Sequence, residues 1–234
     1  MKINFLVFII LITNVYCQIN RENFKKNVEN LRNKSISNDE VIKGLKEALK
    51  IGTENATKQL SSLDAFNKNL QIRIPFPPDA KHVADRLRQI GLGSKIDEFE
   101  VTLNRAAEQA TKEALQIFVN SISQMTIADA KNILNGPENA ATAYLQKTCS
   151  QQLSQAFSPH IERTLANTLA TKYWKEITTQ YNRLPGVRPI NTNLVHYTTE
   201  KTLSGIFWAV ALEEKKIRQD PAARTTDILK KVFG

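Results

Sequence analysis

Apolar residues return every three or four positions along almost the whole chain, the spacing that lines one face of an α-helix. Phe24, Val28 and Leu31 mark a short leading helix. A second runs through Val41, Ile42, Leu45, Leu49 and Ile51 towards Leu60. Ser37-Asn38-Asp39-Glu40 opens it as a capping box: the Ser37 hydroxyl takes the Glu40 amide and Glu40 reaches back, with Ile36 and Val41 placed for a hydrophobic staple. Val83, Leu87 and Ile90 form the next stripe, and Gly91-Leu92-Gly93 ends it, because glycine accepts the left-handed turn of a helix C-terminus. Ser94 with Asp97 is expected to open a long alanine-rich helix from Ile96 and Phe99 through Leu103, Ala106, Ala107, Ala110 and Ala114 to Phe118 and Ile122. Its small side chains let a neighbouring helix approach closely.

Thr126 and Asp129 cap a short helix that stops at Asn135-Gly136-Pro137. The helix after Pro137 carries Tyr144, Leu145 and Leu153. Ser158-Pro159 reads as a cap and first-turn proline for another, with Ile161, Leu165, Leu169, Trp174, Ile177 and Tyr181. A loop from Leu184 to Pro189 follows. The last major helix is expected to begin at Thr199 or a near neighbour and to run through Leu203, Ile206, Phe207, Val210 and Ile217. Pro221 breaks it before a terminal helix with Ile228, Leu229 and Val232.

One segment alternates instead. In Leu70-Gln71-Ile72-Arg73-Ile74-Pro75 the apolar side chains fall on one side and Gln71 and Arg73 on the other, as in an extended strand. No partner strand is evident, so the segment is expected to lie across helices as an arm. The pattern predicts an all-α, single-domain multi-helix bundle with one short extended arm near residues 70–77. No tandem repeat or long linker divides it.

The first residues stand apart from that bundle. Lys2 precedes a run from Ile3 to Ile12 that is apolar except for Asn4, too short to span a bilayer. Val15 and Cys17 suit the third-last and last positions before a signal-peptidase cut, which places cleavage before Gln18. Lipidation at Cys17 is the competing reading, and the bulky Tyr16 before it counts against it. The expected organisation is a signal peptide over 1–17, a variable segment over 18–35 and one helical domain over 36–234, in a secreted or periplasmic protein. No transmembrane helix is expected in the mature chain. Asn33-Lys34-Ser35 and Asn55-Ala56-Thr57 fit the glycosylation pattern of a eukaryotic export route. Cleavage would remove Lys2 and no acid, taking the formal charge from +9 to +8. It would leave Cys149 as the one cysteine, so the mature chain would hold no internal disulfide and Cys149 is read as a small buried hydrophobe.

Familiar catalytic signatures are absent from the sequence. There is no HExxH, CxxC, GxSxG or phosphate loop, and His82, His160 and His196 have no partner at metal-ligand spacing. No catalytic residue, metal ligand or cofactor is assigned. Three groups merit attention as binding candidates. Asn104, Arg105 and Glu108 make a polar cluster in the alanine-rich helix, where Arg105 and Glu108 share a face, and Arg73 lies on the polar side of the arm. These would line a ligand site or form an internal ion pair that sets helix register. Tyr173 and Trp174 would line a pocket or fill the core. Lys215, Lys216, Arg218, Arg224, Lys230 and Lys231 make a basic C-terminal stretch opposed by Asp220 and Asp227. It would attract an anionic envelope component or serve the helix C-termini. An exported chain rarely meets nucleic acid, so that partner ranks low despite the charge.

Several segments are similar to those of a known family. They are Val41 to Leu49, Ile72-Arg73-Ile74-Pro75, Leu103 to Glu108, Met125 to Ala130, Ile133-Leu134-Asn135-Gly136, Lys172-Tyr173-Trp174 and, longest, Ile217 to Asp227. In order and spacing, over residues 36–234, the chain resembles the bacterial exported family catalogued as domain of unknown function 4197. The resemblance implies a helical exported protein and supplies no activity. Three expectations follow for function. The first is a non-enzymatic binding protein for a hydrophobic or lipid-like small molecule, or for an envelope partner, built on the alanine-rich helix, the arm and the aromatics. The second is a hydrolase-type enzyme without a familiar motif. The third is a surface interaction protein that uses its basic C-terminal segment.

Overall fold

The computed structural model describes residues 37–233 except 167, 184 and 192, without the side chains of 169, 170, 172, 173, 177 and 231–233. The expected leader, the helix from Phe24 to Leu31 and the side chains of Ile177 and Val232 lie outside the described residues. Among the described residues the fold is all-α, with nine helices and no strand. They are α1 Asn38–Leu60, α2 Lys81–Gln89, α3 Gly93–Thr111, α4 Ala114–Ser123, α5 Ile127–Leu134, α6 Ala140–Ala166, α7 Leu169–Tyr181, α8 Leu194–Gln219 and α9 Asp227–Phe233. Short 3₁₀ turns at Pro78–Ala80 and Pro221–Ala223 precede α2 and α9.

The first described turn is closed as its sequence predicts: the Glu40 amide donates to Ser37 Oγ and the Ser37 amide to the Glu40 carboxylate. Residues 41–234 then form one unit around α6, which packs along α3, α4 and α8. Leu145, Leu153, Phe157 and Ile161 of α6 meet Leu103, Phe118 and Ile206 in a fully buried core. Gly205 of α8 leaves room for the buried Phe66 ring, since a Cβ there would stand 2.5 Å from Phe66 Cε1.

Four local expectations give way to packing. Pro159 does not start a helix: α6 runs through it to Ala166. Continuation keeps Phe157, Ile161 and Leu165 in one buried stripe. Burying such side chains is worth about 1.5–3 kcal/mol each, which together outweighs the roughly 3 kcal/mol cost of an internal proline. The long helix expected from Ile96 to Ile122 is two helices. The Lys112 and Glu113 amides donate three residues back, to Gln109 and Ala110, and the interruption leaves Ala114, Phe118 and Ile122 buried. Asp97 does not cap α3, because its carboxylate is taken by Arg88 at 2.7 Å, and α3 starts from Leu92 without a side-chain cap. The last long helix begins earlier than Thr199, at Leu194, where the Asn193 side chain accepts from the His196 amide.

The arm is shorter than the alternation suggests. Residues 61–72 form turns, Leu70 is exposed, and only 73–77 run without turn or helix. Ile72 and Ile74 point into the core as expected.

At the other end of the chain the segment Ile217 to Asp227 closes helices. Asp220 accepts from the Ala222 amide and starts the Pro221 turn. Arg224 donates to the carbonyls of Ile217 and Arg218 at the end of α8. Arg218 donates to the Ile133 carbonyl at the end of α5 and to Glu214 Oε1. Glu214, buried between helices, in turn accepts from the amides of Ala141 and Thr142, at 3.0 and 2.8 Å, and from the Thr142 hydroxyl. The first turn of α6 is thus capped by a carboxylate from α8, where the helix dipole favours negative charge.

Candidate functional site

Glu100, Asn104 and Glu108 are spaced four residues apart and so form one stripe along α3. Each reads the backbone of the segment from Phe66 through the arm, which runs antiparallel to the helix. Glu108 Oε1 accepts from the Phe66 amide at 3.3 Å. Asn104 Oδ1 accepts from the Ile74 amide at 2.8 Å, and its Nδ2 donates to the Ile74 carbonyl at 2.9 Å and to the Glu100 carbonyl at 2.7 Å. Glu100 accepts from the Phe76 amide at 3.1 Å and from Arg73 Nη2 at 2.7 Å. Arg105 bridges Glu108 and Asp64 at 2.7 and 2.6 Å. Lys68, Asn67 and Arg105 together hold the Asp64 carboxyl down to about 2. From α8, Tyr197 Oη donates to the Pro75 carbonyl at 3.0 Å, and burial, with Glu100 adding to it, pushes that phenol up to about 12.

Arg73, Asn104, Arg105 and Glu108 are therefore brought together, and the bonds they make go to one another's carboxylates, to Asp64, to Glu100 and to backbone groups. Glu100 and Tyr197 complete the cluster and were not singled out from the sequence. The spacing of Glu100, four residues before Asn104, was the signal for it.

The arm delivers Phe76 to a cleft of about 600 Å³ beside this cluster. Phe76, Phe99 of α3 and Trp174 of α7 form its aromatic floor, with ring centroids 5.0, 5.2 and 5.7 Å apart. Val83 and Leu87 of α2, Ile96 of α3 and Leu92 make its walls. The volume lies inside the range of about 300–1,000 Å³ usual for small-molecule sites. Rim threonines and the rim lysine each make an internal bond. Thr102, Thr168 and Thr178 donate to the carbonyls of Glu98, Leu165 and Trp174, and Lys95 pairs with Glu98 at 2.9 Å. The surface offered to a guest is thus mainly apolar. The alanines of α3 are not part of it: Ala106, Ala107 and Ala110 are fully buried, and Ala80 is the alanine at the cleft. Trp174 lies at the cleft as the aromatic reading allowed, whereas the side chain of Tyr173 lies outside the described residues.

The basic C-terminal stretch divides. Lys215 is exposed, Lys216 pairs with Glu213, Lys230 stands 3.7 Å from Asp227, and Arg218 and Arg224 turn to helix-end carbonyls. The Lys231 side chain lies outside the described residues. The three histidines are apart: His82 stacks near Tyr181, His160 faces Glu113, and His196 sits in the first turn of α8. Cys149 is buried in the core. Among the described residues no group of three or more His, Cys, Asp or Glu is placed to hold a metal ion, and no helix is long and apolar enough to cross a membrane.

Fold and cleft together define the class: an all-α domain whose clasped arm helps to close an apolar cleft. The family described as "Protein of unknown function (DUF4197)" matches residues 35–234, and the chain belongs to that family. No curated protein and no solved structure matches it.

Proposed function

We propose that the protein is a non-enzymatic binder of an apolar, lipid-like molecule, held over Phe76, Phe99 and Trp174. The observation that carries this reading is the character of the cleft: it is the size of a small-molecule site, its floor is aromatic, and its rim threonines and its lysine are bonded within the protein. Polar groups of a guest laid on the aromatic floor and aliphatic walls would find no partner there, at a cost that a hydrocarbon chain does not incur. Export through residues 1–17 belongs to the same proposal, resting on Lys2, the apolar run and the small residues before Gln18.

Titration of delipidated protein with a dansyl-labelled fatty acid tests it. The parent should bind with saturation. Leu87→Glu should weaken binding about tenfold or more, because it sets a carboxylate against the chain. Leu87 is only half-buried, so the fold should survive the change, as circular dichroism will show. A parent that does not bind, or a folded Leu87→Glu that binds like the parent, removes the proposal.

A further inference from the structure

The turn at the mouth of the cleft exposes apolar surface in a fixed conformation. Helix α2 ends in a Schellman motif: the Leu92 amide donates to Leu87 O at 2.9 Å and the Gly91 amide to Arg88 O at 3.2 Å, with Gly91 at φ +87°. The motif turns Leu92 onto the cleft beside Leu87 and leaves Ile90 outside the lining, 71 % exposed. Leu92 is itself 43 % exposed, so one closed turn carries an exposed aliphatic side chain at its tip and another at the cleft wall two residues on. An isolated exposed aliphatic side chain needs no explanation, but one set two residues from the wall of an apolar cleft on a closed turn invites one.

The charges of this helix, its turn and the start of the next helix bear on the partner. Residues 79–98 hold four basic and four acidic side chains, a net charge of zero. Three opposite pairs are joined: Lys81 with Asp85, Arg88 with Asp97, and Lys95 with Glu98. A segment so balanced has little long-range attraction for a polyanion, and it adds no repulsion at a zwitterionic surface. We infer that the Ile90–Leu92 turn inserts into the interfacial region of a phospholipid bilayer and opens the cleft directly onto the acyl chains. The inference rests on the cleft being a lipid site, and it names the source from which that site is filled. Insertion is driven by apolar burial, as for interfacial helices, and not by counter-charge.

Vesicles of phosphatidylcholine and the intact protein provide the test. The parent should co-float with the vesicles, with little change between about 0.1 M and about 1 M salt, a range over which charge-driven contacts are screened away. Ile90→Glu should lower the bound fraction about tenfold or more, since it replaces a buried aliphatic side chain by a charge at the interface. Ile90 does not line the cleft, so that variant should bind the dansyl fatty acid, free of vesicles, like the parent. An environment-sensitive dye on Ile90→Cys should shift to the blue with vesicles, while the same dye on Lys215→Cys should not. Parent protein that ignores vesicles, Ile90→Glu that floats like the parent, or floating abolished by salt would each overturn the inference. Failure of the lipid-site reading is told apart by the parent's own lack of fatty-acid binding without vesicles.

Discussion

Asn104→Ala is expected to lower stability by about 3–5 kcal/mol, because it leaves both backbone groups of the buried Ile74 without partners and each unmatched buried group costs about 1–3 kcal/mol. The loss of the bond to the Glu100 carbonyl adds to it. For a domain of this size that corresponds to a melting temperature lower by roughly 10 °C. Asn104→Asp should fare little better. It keeps an acceptor for the Ile74 amide but has no N–H for the two carbonyls, and it brings a charge into a fully buried position. Denaturant unfolding of the three proteins decides the matter. An alanine variant within about 1 kcal/mol of the parent, against that 3–5, would mean that the arm is held by Ile72, Ile74 and Phe76 packing and that the carboxamide is dispensable.

Glu214→Ala should cost a similar amount, about 3–5 kcal/mol, by a different route. The carboxylate is the cap of α6 and the counter-charge of Arg218, whose side chain is only 17 % exposed. Removing it uncovers two amides at the start of the helix that organises the core and leaves a half-buried guanidinium without its partner. Glu214→Gln should lose less, about 1–2 kcal/mol, since its one carbonyl oxygen can still accept an amide while the charge is gone. Adding Arg218→Met to Glu214→Ala should recover part of the loss by removing the stranded charge. Additive effects of the two substitutions in that cycle would show that the ion pair and the cap are independent.

What could be read from the sequence depended on how far apart the interacting residues lie. The boxes at Ser37 with Glu40 and Thr126 with Asp129 are spelled out within four residues, and both form. The end of α2 at Gly91 and the bend at Pro221 rest on single residues with restricted backbones, and both stand where expected. Ser158-Pro159 carries an equally clear local signal, yet α6 continues through it, because burial of its stripe is decided by helices distant in the chain. The polar residues of α3 were recognisable as a cluster. Their target was not, since Asn104 meets a backbone 30 residues away and Glu108 one 42 residues away. The cleft escaped in the same way. Trp174 was visible as a candidate, but Phe76 and Phe99 become its companions only when the arm, α3 and α7 converge.

The clasp on α3 also has a kinetic meaning. The amides of Phe66, Ile74 and Phe76 are shielded by the side chains of Glu108, Asn104 and Glu100, with no helical or sheet ladder involved. No local fraying of an element can release them. Their hydrogens trade with solvent deuterium only when the segment from Phe66 through the arm lifts from α3, so the three should exchange as a group, at the rate of that one opening. The same opening uncovers Phe76 from the cleft floor, which makes the deuterium clock of three backbone positions a clock for access to the interior as well.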